Sequence, residues 1–292
     1  MAEPARRVGR SRPVAGARLR FVLLLAPALG VFAPRTARGD EPFVDRPLTL
    51  PPLHFSADAG IGFGQGPRAP APLPPGASFD TGTKLGWGSN LEAAVGLPFL
   101  GELGVRVGIR FGDAGINAGS PDHFARLFDP IVDEPGRSSV TNPELRLRGT
   151  LLDLHVVELG LETRAIIPTD SGSDFELIPG APVRIHLPTF ARVDTGVWLP
   201  VEFDSDIGFR IEIPAQLFFQ AGQAFFGPVT GIRFNHPGGD IPSTAEIPAG
   251  VAAGYTLGAI LDLKVQVRTE RINDTAWSQY LGGGIGAGLR LP

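Results

Sequence analysis

Arginine and carboxylate side chains alternate with apolar ones through much of this chain, and within each stretch the charges keep to one parity. Residues 102–111 put Glu102, Arg106 and Arg110 on even positions, and Leu103, Val105, Val107, Ile109 and Phe111 on odd ones. The same split sets Arg146 and Arg148 against Leu145 and Leu147, then Glu158, Glu162 and Arg164 against Leu159 and Leu161. Further on, Arg184, Arg192, Asp194, Arg210 and Glu212 hold the polar positions. Ionic groups spaced by two can pair into a network, or line a passage whose transverse field orients polar solutes. All of these but Glu102, twelve residues, are the candidate lining of a lumen.

Other chemistries find little support. The five histidines are His54, His123, His155, His186 and His236. His54 and His186 stand alone on polar positions and read as members of a polar network. His236 with Asp240, in a glycine-rich loop, comes nearest to a hydrolytic pair, but no serine sits in a nucleophile elbow. Gly282-Gly283-Gly284 is followed by neither a helix nor a Lys-Ser/Thr pair, so it is no phosphate loop. Asp170-Ser-Gly-Ser-Asp174 falls short of the ligand count of a calcium loop. The chain has no cysteine, which removes disulfides, thiolate catalysis and zinc–thiolate sites. The sequence therefore predicts no enzyme, no cofactor and no metal.

A period of two belongs to an extended chain with one apolar and one ionic face. Twelve such stretches follow one another: 53–63, 84–97, 102–111, 144–151, 157–165, 175–187, 191–203, 209–219, 224–234, 247–257, 259–269 and 281–291. No segment carries a sustained helical period with caps. The apolar faces are too many for the loops to cover. This predicts an all-β fold, a closed antiparallel transmembrane β-barrel of about 12 strands with lipid outside and a polar lumen. Residues 64–83 and 112–143 are long and rich in Gly and Pro, whereas 98–101, 188–190 and 220–223 are short. Long exterior loops and short periplasmic turns are the asymmetry of such a barrel. Phe63, Phe111, Phe175, Phe203, Phe209 and Phe234 fall at the exterior strand ends, and Phe55, Phe99, Phe219 and Phe226 at the periplasmic ends. Two such belts form an aromatic girdle.

The N-terminus reads as an export signal. A stretch with six arginines between Arg6 and Arg20 precedes the apolar run 21–32, which is too short to span a bilayer. Ala37-Arg38-Gly39 supplies a cleavage site. The expected domains are a cleaved signal peptide (1–39), a periplasmic N-terminal segment (40–52) and the barrel (53–292). The leader holds eight of the 26 basic residues and one of the 30 acidic ones, so 18 and 29 remain, a net charge of −11. An acidic exported chain argues against nucleic acid as a partner.

On these residues the chain resembles bacterial outer-membrane β-barrels of the porin-like kind over residues 50–292. It departs from them in ending on Leu-Arg-Leu-Pro rather than on an aromatic residue. The resemblance implies an outer-membrane location, insertion by the outer-membrane insertion machinery, contact with the lipid bilayer and passive passage of small solutes. Inward glycines on the first strand (Gly60, Gly62) and last strand (Gly282, Gly284, Gly286, Gly288) place a bare wall opposite the arginines. The sequence thus predicts a narrow pore with a mixed-charge, arginine-rich lumen. The alternatives are a non-conducting structural or docking barrel with a filled lumen, and a soluble secreted β-sheet binding protein. Pro179, Pro200, Pro214 and Pro228 stand at similar heights in adjacent strands, where each removes a ladder donor. They suggest a weakened wall that opens sideways to apolar molecules.

Overall fold

The computed structural model describes residues 42–67, 83–99, 101–111, 140, 142–169, 175–187, 190–203, 208–236, 244–258, 260–275, 278 and 281–292. Most of the long connections and the export signal lie outside the described residues, as do His123, Asp240 and residues 170–174. After one 3₁₀ turn (Phe43–Asp45) come β1 (Phe55–Pro67), β2 (Thr83–Leu97), β3 (Gly101–Phe111), β4 (Glu144–Asp153), β5 (Val157–Ile166), β6 (Glu176–Leu187) and β7 (Ala191–Trp198). They are followed by β8 (Val201–Glu202), β9 (Gly208–Ala221), β10 (Ala224–His236), β11 (Thr244–Glu246), β12 (Ala249–Leu257), β13 (Leu261–Thr269) and β14 (Leu281–Leu291).

With β7 and β8 taken as one stave and β11 and β12 as another, each stave pairs antiparallel with its chain neighbours, and β14 pairs with β1 from Phe55↔Leu291 to Gly64↔Gly282, so the sheet closes. The fourteen segments make twelve staves. Pro200 lies in the break between β7 and β8, and Pro248 in the break between β11 and β12, where the missing N–H cannot join the ladder. A closed sheet leaves no edge, the condition for crossing hydrocarbon without unpaired backbone.

Burial is inverted relative to a soluble sheet. Along β3, Glu102 is 5% exposed while Leu103, Val105 and Ile109 are each over 40% exposed. The same alternation runs along β5, where Leu161 is exposed between the buried Gly160 and Glu162. Charge is inside and aliphatic surface outside, which rules out the soluble β-sheet alternative. Phe63, Phe175, Phe203, Phe209 and Phe234 are exposed at the long-loop end. Phe175 and Phe203 lie 5.9 Å apart between ring centroids there, and Phe219 and Phe226 lie 6.0 Å apart at the short-turn end. The side chains of Arg110 and Phe111, the last residues of β3, lie outside the described ones.

The ladder is interrupted where glycine or proline faces a neighbouring strand. Between β5 and β6, pairing skips Gly160–Leu161 and Ala181–Pro182. Between β7 and β9 it skips Gly196–Val197 and Ile213–Pro214, and between β9 and β10 it skips Leu217–Phe218 and Gly227–Pro228. Pro214 and Pro228 sit in these gaps and Pro200 in a strand break, but Pro179 pairs with Thr163, and Pro182 is the interrupting residue of β6.

Candidate functional site

The lumen is the site, and its charges are paired. Arg146 lies between Glu92 (2.8 Å) and Glu102 (2.6 Å), over Gly104, whose missing Cβ leaves room for the guanidinium. Arg106 meets Glu144 at 3.0 Å. Glu162 accepts from Arg148 and Arg164 and from the Trp198 indole at 2.9 Å. Asp194 accepts from Arg184 (2.7 Å) and Arg192 (2.8 Å). Toward the long-loop end, Arg210 bridges Glu176 and Glu202, and Arg233 lies within 3.4 Å of Glu212, Glu246 and Glu270. Asp58 and Lys264 meet at 2.8 Å over Gly288, where a Cβ would strike the Asp58 carboxylate. Most of these pairs join neighbouring strands. Such pairing offsets part of the cost of burial, because an unpartnered charge away from water is costly.

The largest departure from expectation concerns residues 40–52. From Pro42 on they lie within the barrel rather than trailing in the periplasm. Phe43, Val44, Leu48 and Leu50 would expose apolar surface on a free tail, and here all four are buried. The backbone of this segment is held by strand side chains. Arg192 donates to the Phe43 carbonyl (2.5 Å), Arg184 to those of Arg46 (2.9 Å) and Pro47 (2.7 Å), and Arg148 to that of Leu48 (3.2 Å). Its own N–H groups are used as well. Leu48 donates to Glu158 (2.7 Å) and Leu50 to Glu102 (2.9 Å). Phe43 stacks on Phe225 at 3.7 Å, meets Phe218 edge-on, and carries the Arg192 guanidinium 4.1 Å above its ring. These contacts come from inward positions of β3 to β7, β9, β10 and β13, all near the short turns, so the segment crosses the lumen at that end.

The described arginines and acids of the predicted lining are therefore engaged in ion-pair and hydrogen-bonded clusters, and several of them grip the segment instead of facing free space. Sequence reading missed the segment, its anchor Asp262, the inward rings Trp198, Phe218 and Phe225, and the hold of Glu102 on Leu50. A signal was present: four large apolar residues in a stretch expected to be solvated.

The wall β14–β1–β2 is bare. Gly60 pairs with Gly286, Gly62 with Gly284 and Gly88, and Gly64 with Gly282 and Gly86. A small cavity of about 30 Å³ lies against it, lined among others by Asn90, Glu92, Arg106, Lys264 and Gln266. On its lipid side the same wall is concave, a hollow of about 770 Å³ lined by Ile61, Leu91, Val107, Ile109, Leu263 and Ile285.

A closed twelve-stave barrel, apolar outside and ionic inside, is a transmembrane β-barrel. Solved structures share the fold. An outer-membrane channel from Pseudomonas putida F1 is 13% identical over 83% of this chain and 97% of that one, with a TM-score of 0.58. The NanC porin is 5% identical over 81% of this chain and 99% of that one, with a TM-score of 0.53. No family model matches the sequence, and no curated protein does. The fold is thus that of the porin-like outer-membrane barrels.

Proposed function

We propose that this protein is a narrow outer-membrane channel for small polar solutes, exported by residues 1–39, seated in the lipid bilayer by the insertion machinery, and without enzymatic activity. The observation that carries the reading is the asymmetry of the lumen. Side chains from β3 to β10 and the N-terminal segment fill one side, while against the glycine wall lies a cavity of about 30 Å³ bordered by Asn90, Glu92, Arg106 and Lys264, which in this reading lies on the solute's path. Both signs of charge along that path suit small polar or ionic solutes and give only weak selection by sign. Asn90→Arg puts a long side chain into the path. It is expected to lower the conductance of the refolded barrel, or solute-driven swelling of liposomes, to less than half. An unchanged value would place the route elsewhere or nowhere.

The ladder gaps favour a second reading, in which apolar molecules leave sideways through the wall β5–β10. Behind the gaps lie Trp198, Ile178 and Ile166, an apolar cluster inside the lumen separate from that of Phe43, Phe218 and Phe225.

A further inference from the structure

His186 sits between the barrel and the N-terminal segment, and both of its partners are acceptors. Its Nδ1 is 2.9 Å from the Val44 carbonyl, and its Nε2 is 2.7 Å from Glu158 Oε1. The other Glu158 oxygen is taken by the Leu48 N–H. A peptide carbonyl has no proton to give, and neither has a carboxylate. A neutral imidazole donates from only one nitrogen. The triad therefore holds one proton more than a neutral imidazole beside an ionised carboxylate. That proton resides on His186, or on Glu158 facing Nε2. Without it, one of the two contacts becomes acceptor against acceptor among groups at most 9% exposed, an arrangement that buried polar groups avoid.

We propose that His186 and Glu158 form a proton-dependent latch on the N-terminal segment: protonated, they hold the Val44 carbonyl, and loss of the proton frees that carbonyl and loosens the start of the segment. Imidazole is the side chain suited to such switching near neutral pH. The charges around it come from every element that packs there. Arg184 lies two residues away on β6, with its guanidinium on Asp194 and on the Arg46 and Pro47 carbonyls. Arg192 of β7 is the register partner of His186 and spans Asp194 and the Phe43 carbonyl. Glu158 comes from β5, and the segment contributes Asp45 and Arg46. The arginines keep their charge throughout the working range. The shared proton is therefore the one among these charges that the imidazole can give up.

The absence of cysteine from the chain makes a clean test available. The refolded mature barrel with Val44→Cys is exposed to a maleimide between pH 5.5 and 8.5. Rates are divided by those of a Gln223→Cys control in an exposed turn, which removes the pH dependence of the thiol itself. The normalised rate is expected to rise about tenfold with pH, the effect of losing one buried hydrogen bond. With His186→Gln or Glu158→Gln added, the profile should be flat. Two variants allow for one that fails to refold, checked by heat-modifiable migration. A flat profile in the parent, or the same rise in every variant, would overturn the latch. The labelling reads docking rather than conduction, so the latch and the pore reading fail separately.

Discussion

Arg46 reaches across the barrel to Asp262. Its guanidinium forms a two-pronged pair with the Asp262 carboxylate on β13, with Nη2 to Oδ1 at 2.9 Å, while its carbonyl accepts from Arg184 on β6. Four staves separate β6 from β13 on the shorter way round and six on the longer. One residue thus ties nearly opposite walls together, and Thr256 completes the site by donating to the same carboxylate at 2.8 Å. A bidentate arginine–carboxylate pair fixes geometry as well as charge. The segment is accordingly a strut as well as an obstruction.

Arg46→Ala leaves Asp262 buried without its cation. Breaking one side of a buried pair costs about 3–5 kcal/mol, and here that cost falls on docking of the segment rather than on strand pairing. The barrel should still refold and migrate as a heat-modifiable band. Proteolysis in residues 42–52 should begin at a much lower protease concentration than in the parent. Equal resistance would mean that the pair contributes little to docking.

The gaps in the ladder should be visible in hydrogen exchange. Amides of Gly160, Gly196 and Leu217, which lie opposite Pro182, Pro214 and Pro228 in the gaps, are expected to exchange at least about tenfold faster than those of Val105 and Val107, which pair with β2. Equal protection would show the gaps to be tightly packed irregularities, and the lateral route would lose its basis. The Thr195 hydroxyl already closes part of one gap by donating to the Pro214 carbonyl at 2.8 Å.

Leu161 faces outward near the middle of β5 and is 54% exposed. Leu161→Arg places a charge in the hydrocarbon and should destabilise the barrel by about 2–4 kcal/mol. Urea unfolding in vesicles measures this, with Thr163→Arg nearer the strand end expected to cost less. Equal, negligible effects at both positions would contradict a lipid-facing belt.

All twelve staves were legible in the sequence, because lipid on one face and a wet, ionic lumen on the other impose opposite demands on alternate residues. In Phe218-Phe219 even the parity carries meaning, with Phe219 toward lipid and Phe218 toward Phe43. The glycine wall was legible for the same reason. The N-terminal segment was not. Its spacing, Phe43, Val44, Leu48 and Leu50, follows no period, and its partners are single side chains scattered over strands up to about 220 residues away. No local pattern encodes a site assembled that way. For the same reason the lining read as open arginines, although Arg184 and Arg192 spend their donors on Asp194 and on backbone carbonyls of the segment.

The central claim is a passage along the glycine wall, narrowed by the N-terminal segment. Single-channel conductance in a planar bilayer tests it most directly, comparing the mature chain with a Phe43→Ala, Arg46→Ala variant whose folding is confirmed by heat modifiability. Small discrete steps in the mature chain, growing severalfold in the variant, are the predicted result. No conductance in either, or identical steps in both, would contradict the account.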